Sequence, residues 1–141
     1  MNDESIGIML VEDDKVDVMN VLRAFKKLRI SNPLHVANNG VEALSMLRGN
    51  GVAAIDPLPK IILLDVNMPK MNGIEFLKEL RQDPELKRIS VFMLTTSDDE
   101  KDKIAAYDLN VAGYIVKPVE TPAFLEAVST LGGFWSLIEM P

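Results

Sequence analysis

A doubly wound α/β fold, with one parallel sheet between two layers of helices, is the architecture this sequence predicts. Three observations predict it. Short apolar runs recur along the chain, at Ile8-Met9-Leu10-Val11, Ile61-Ile62-Leu63-Leu64, Val91-Phe92-Met93-Leu94 and Tyr114-Ile115-Val116. They are continuous rather than alternating, as in strands buried on both faces. Between the runs the hydrophobic period lengthens to that of a helix. Finally, each run ends on polar groups: Glu12-Asp13-Asp14, Asp65, Thr95 and Lys117-Pro118. Ligands of such sheets bind outside the carboxyl ends of the strands, so these groups fall where a site belongs.

The elements follow in order. After the first run, Val18, Val21, Leu22, Phe25 and Leu28 share one helix face. Pro33 to Ala37 is a short strand whose proline and mixed character suit a sheet edge. Asn38-Asn39-Gly40 introduces a short helix carrying Ala43, Leu44 and Leu47. Asn50 to Pro59 is the longest loop. Asn72, with Glu75 three places on, caps a helix carrying Phe76, Leu77 and Leu80, which Asp83-Pro84 ends. Ser97-Asp98-Asp99-Glu100 reads as a capping box for a helix with a thin stripe of Ile104, Ala105 and Leu109. Thr121-Pro122 opens a last helix with Phe124, Leu125, Val128 and Leu131, and Gly132-Gly133 stops it. The unit (βα) thus occurs five times. Right-handed crossovers leave few topologies, of which the flavodoxin-like strand order 2-1-3-4-5 is expected. The expected division is one domain over residues 1–131 and a tail over 132–141. Phe134, Trp135, Leu137 and Ile138 make this tail apolar enough to dock on the domain or on a dimer partner.

Composition narrows the function classes. The chain has 141 residues, 48% of them hydrophobic, enough for the core of one domain. A net charge of -6 opposes binding to nucleic acid, whose phosphates would be repelled. No apolar stretch reaches membrane-spanning length, and the acidic start Met1-Asn2-Asp3-Glu4-Ser5 lacks the form of a signal peptide. With no cysteine there is neither disulfide nor thiolate metal site, and a cytoplasmic location is expected. The single histidine, His35, sits on the expected edge strand, and with no second histidine or cysteine a zinc site is excluded.

The chemistry lies in the polar edge. Several carboxylates held together repel one another, and a divalent cation relieves that repulsion. Mg2+ takes oxygen ligands and uses one or two carboxylates plus waters. Asp13 and Asp65 can supply them, with Glu12 acting through water. A phosphoryl group could then be balanced by Lys117 and hydrogen-bonded by Thr95. Phosphoryl transfer needs mainly positioning and charge neutralisation, and a carboxylate can itself be the acceptor.

Glu12-Asp13, Asp65 with Met68-Pro69 and Gly73, Leu94-Thr95, and Lys117-Pro118 together resemble the receiver domain of two-component response regulators. The resemblance runs from about residue 6 to about residue 131, with each motif in family order at its strand end. It implies that Asp65 is the phosphoacceptor and takes its phosphoryl group from a phosphohistidine on a sensor histidine kinase. It implies Mg2+ on Asp13, Asp65 and the backbone carbonyl of Asn67, with Glu12 as second member of the acidic pair. Thr95 and Lys117 would contact the phosphoryl oxygens. Thr95 and Tyr114 would form the switch, acting on the surface of the fourth helix, fifth strand and fifth helix, and the Lys117-Pro118 bond would be cis. Asn67 and Ser97 would tune hydrolysis. Asp14 lies beyond the family pair and receives no ligand role, and Thr96 stands where the family carries a very small residue.

Other readings fit less well. A phosphatase of the haloacid dehalogenase type needs a second aspartate two places after the first, where this sequence has Asn67. A flavin phosphate would be repelled by Glu12-Asp13-Asp14. A phosphorylation-independent interaction module and a phosphorelay intermediate stay open as alternatives to a diffusible switch. No effector domain is expected. The long loop, the segment Asp83 to Arg88 and the Phe134-Trp135 tail resemble stand-alone receivers paired with phytochrome-type histidine kinases. A homodimer through the tail is a further expectation.

Overall fold

The structure, a computed structural model, describes residues 7–27, 32–51, 54–66, 68, 70–95 and 109–116. Thr95 and Val116 are described through their backbone. Five strands form one sheet, in the order β2-β1-β3-β4-β5: β1 (Ile8–Val11), β2 (Leu34–Ala37), β3 (Ile61–Asp65), β4 (Ser90–Thr95) and β5 (Gly113–Val116). All four pairings are parallel. This is the expected order, with β2 at the edge. Three helices are described: α1 (Lys15–Lys27), α2 (Gly40–Arg48) and α3 (Gly73–Gln82). The helices expected from Asp98 and Thr121, and the tail, lie outside the described residues.

Alternation along the strands divides the core into two layers. Met9, Val11, Ile62, Leu64, Val91 and Met93 face α2 and α3, meeting Leu44, Leu47, Phe76, Leu77 and Leu80. Ile8, Leu10, Ile61, Leu63, Phe92 and Leu94 face the other way, meeting Val21, Ala24 and Phe25 of α1. Both faces are buried, which explains why the runs are continuous rather than alternating.

The helix ends follow their capping residues. Asn39 accepts from the Glu42 N–H at 2.9 Å and caps α2. Asn72 and Glu75 form a complete capping box at α3: the Glu75 N–H donates to Asn72 Oδ1 at 2.9 Å, and the Asn72 N–H donates to Glu75 Oε1 at 3.2 Å. Gly49 ends α2 with φ 76°, a left-handed conformation that glycine adopts without steric cost.

Leu22 departs from expectation. The helical stripe puts it on the buried face of α1, yet it is 43% exposed. At 100° per residue Leu22 lies beside Val21, and the core takes Val21, Ala24 and Phe25, so the buried stripe is centred away from Leu22. Val16 and Met19 are exposed as well.

Candidate metal and phosphoryl-acceptor site

Register places the functional residues at one end of the sheet. Val11 pairs with Ala37 on one side and Leu64 on the other, so Glu12 and Asp65 sit one step beyond, at neighbouring strand ends. The Glu12 N–H donates to Ala37 O at 3.0 Å, which continues the β1–β2 ladder as far as the first acid. Asp65 is itself the last residue of β3, opposite Leu94, and Thr95 follows opposite Val116. The sheet thus presents Glu12, Asp13, Asp65 and Thr95 along one edge. Lys117, next after Val116, lies outside the described residues, as do Asn67 and Ser97.

The three carboxylates converge. One oxygen from each of Glu12, Asp13 and Asp65 lies within 4.8 Å of the others. Glu12 is fully buried and Asp65 is 4% exposed, whereas Asp13 faces solvent. Two buried carboxylates beside a third are costly while all carry charge, since burial strengthens their mutual repulsion. An all-oxygen, acidic donor set with one open side fits a hard divalent cation such as Mg2+. Asp14 takes no part. Its Oδ1 accepts from the N–H groups of Val16 at 2.8 Å and Asp17 at 3.2 Å, so it caps α1. Its own N–H donates to Glu12 Oε1 at 3.2 Å, which helps to fix the buried acid.

The loop after Asp65 is shaped by Gly73 and Lys70, and Gly40 faces it from the start of α2. Gly73, the first residue of α3, donates its N–H to Val66 O at 2.9 Å. A Cβ there would overlap the Asp65 carbonyl oxygen and stand 2.9 Å from Val66 Cα. Glycine therefore lets α3 close on the backbone of Asp65 and Val66. Gly40 plays a softer part, because the nearest atoms to a Cβ there belong to the flexible Met71 side chain. Lys70, at φ 67°, turns the loop between Asp65 and Gly73. Met68 and Met71 pack on the rim of the core, as gap-filling methionines do. Tyr114 is half-buried on the same side as α2 and α3. His35 pairs with Met9, well back from the acidic edge.

Sequence reading missed Arg81. From the last turn of α3 its guanidinium donates to four backbone carbonyls: Leu109 at 3.0 Å, Lys87 and Ile89 at 2.9 Å, and Asn110 at 3.1 Å. It ties the lead-in to β5 to the turn before β4. Burial pushes its pKa below the usual arginine value. An arginine near a helix C-terminus is common, so its place in the sequence gave no signal.

The sequence matches the response regulator receiver domain family over residues 8–129. It belongs to the receiver domain family. It is 40% identical over 138 residues to the response regulator Rcp1 of Synechocystis sp., an alignment spanning 96% of this chain and 94% of that protein. Among solved structures, the Mn(2+)-bound form of Rcp1 matches with a TM-score of 0.82 and 38% identity, covering 96% of this chain and 99% of that one. The phosphorylated cyanobacterial phytochrome response regulator RcpA matches with a TM-score of 0.84 and 37% identity, covering 97% of this chain and 99% of that one. The bacteriophytochrome response regulator RtBRR matches at 0.83 and 40%, covering 97% of this chain and 84% of that one. This receiver is thus similar to regulators of phytochrome signalling. Among the described residues no helix is long and apolar enough to cross a membrane.

Proposed function

We propose that this receiver is a Mg2+-dependent phosphorylation switch that accepts a phosphoryl group on Asp65 from a sensor histidine kinase of the phytochrome type. The convergence of Glu12, Asp13 and Asp65 carries the reading. Asp13 and Asp65, with the backbone carbonyl of Asn67, would hold the ion, and Glu12 would act through water. When bound, the ion neutralises charge on the incoming phosphoryl oxygens. A carboxylate oxygen of Asp65 attacks the phosphorus in line as the P–N bond of the donor phosphohistidine breaks. The departing imidazole nitrogen takes a proton from solvent and leaves as neutral imidazole. Burial keeps water from Asp65, while the fixed strand end supplies the orientation that this reaction chiefly needs.

Thr95 and Lys117 complete the reading as phosphoryl contacts, and Asn67 and Ser97 as the side chains that set the lifetime of the acyl phosphate. Thr95 and Tyr114 form the switch, which signals through the surface of the fourth helix, fifth strand and fifth helix by protein docking. Similarity to phytochrome response regulators over nearly the whole sequence supports the kinase assignment. The tail over 132–141 docks on its own domain or on a second copy. The catalysis it performs is confined to its own phosphorylation and dephosphorylation.

The test is intact mass after incubation with Mg2+ and acetyl phosphate. A gain of one phosphoryl group that EDTA prevents is expected. A protein that binds Mg2+ yet gains nothing from acetyl phosphate or from a phytochrome-type kinase would point instead to a phosphorylation-independent module.

A further inference from the structure

Three Asn-Gly steps occur in the sequence: Asn39-Gly40, Asn50-Gly51 and Asn72-Gly73. This dipeptide is the one most prone to spontaneous deamidation, because glycine places no side chain in the way of ring closure. The fold treats the three steps differently. Two are locked. Asn39 and Asn72 are helix caps whose side chains are engaged at 2.9 Å by the N–H groups of Glu42 and Glu75. Gly40 and Gly73 are buried first residues of α2 and α3. The amide of Gly73, the atom that would have to attack, is already committed to Val66 O. Ring closure at either step requires the cap and the first helical turn to open.

Asn50-Gly51 has none of these restraints. Both residues are exposed beyond the end of α2. Gly51 has φ 82°, and nothing lies within 4 Å of the place where its Cβ would be. Among the described residues the Asn50 side chain and the Gly51 N–H make no hydrogen bond, and only the Asn50 N–H is held, by Ser45 O at 3.1 Å.

We propose that Asn50 is the site at which this protein deamidates in its folded state, and that the two caps protect the steps beside the acidic edge. The Gly51 nitrogen, losing its proton to solvent, attacks Asn50 Cγ. The new N–C bond forms as the bond from Cγ to the amide nitrogen Nδ2 breaks, and ammonia leaves with a proton from water. Water then opens the five-membered succinimide at either carbonyl, giving aspartate or isoaspartate. The α2 helix starts at the site end of the sheet and runs away from it. The new carboxylate therefore appears beyond the negative end of the helix dipole, remote from Glu12, Asp13 and Asp65.

The experiment ages the full-length protein at mildly alkaline pH and follows the three Asn-Gly peptides by mass spectrometry, with isoaspartate read by protein isoaspartyl methyltransferase labelling. Conversion at Asn50 should be about ten-fold or more faster than at Asn39 or Asn72, because those steps must first lose their caps. In concentrated urea the three rates should converge. Asn50→Gln should remove the isoaspartate signal of the native protein. Equal native rates, a lead by Asn39 or Asn72, or a signal that survives Asn50→Gln would each overturn the proposal.

Discussion

Gly73 rests on the backbone of Asp65, with no room between them for a side chain. The helix that follows β3 is therefore seated on the end of β3 itself. In an unconstrained helix interior, alanine is favoured over glycine by about 1 kcal/mol. Here a methyl group would press on backbone that cannot swing aside, a strain of about 1–3 kcal/mol. Gly73→Ala should destabilise the fold in urea titrations and weaken Mg2+ binding as the loop shifts. Gly40→Ala, whose nearest contact is the flexible Met71 side chain, should do neither to the same degree.

Removing one exposed acid should separate stability from function. Asp13→Asn relieves repulsion among three crowded carboxylates, so the metal-free protein should gain a few tenths to about 1 kcal/mol. Its Mg2+ affinity, read by calorimetry, should fall. For Glu12→Gln, proposed to act on the ion through water, the expected loss of affinity is roughly ten-fold to a hundred-fold.

Arg81 should behave as a structural strut. Replacing it with Met strips four carbonyls of a charged donor, and partial access to water limits the cost to about 2–4 kcal/mol. Arg81→Lys should rescue little, because one ammonium cannot span the fork of a guanidinium. Hydrogen exchange should accelerate first at 109–116.

Asp83 gives the acid limb a specific feature. The Glu85 N–H, at 2.9 Å, holds its carboxyl below the ordinary aspartate range, helped by Arg48 at 3.0 Å. A carboxylate whose pKa falls on folding adds stability above its unfolded pKa and loses it as pH drops through the lowered value. Asp83→Asn should therefore flatten the loss of stability below about pH 4. An unchanged acid limb would show that Asp83 is not linked to folding.

Much of the fold and site was legible in the sequence because two signals agreed. Continuous apolar runs located strands buried on both faces, and the polar residue ending each run located the site edge. Both depend on local chain order, which the parallel register preserves: Val11, Leu64 and Ala37 align as one row. The cap at Asn72 was legible for the same reason, since a cap acts within three residues. What escaped depends on contacts distant in sequence. Arg81 reaches Asn110, 29 residues away, and no local pattern encodes that. The exposure of Leu22 reflects the centring of α1 on the sheet, which a helical stripe fixes only to within a neighbouring residue. Lys70 at positive φ was hidden because its side chain does not advertise the conformation, unlike glycine or asparagine.

The position of the phosphoryl group tests the central claim most directly. Protein treated with Mg2+ and acetyl phosphate would be reduced with borohydride, which converts an aspartyl phosphate to homoserine, and then mapped by peptide mass spectrometry. Homoserine at position 65, and none in Asp65→Asn, is the expected result. Modification at Asp13, or an alkali-stable phosphate on a serine, threonine or His35 with Asp65 unmodified, would contradict it.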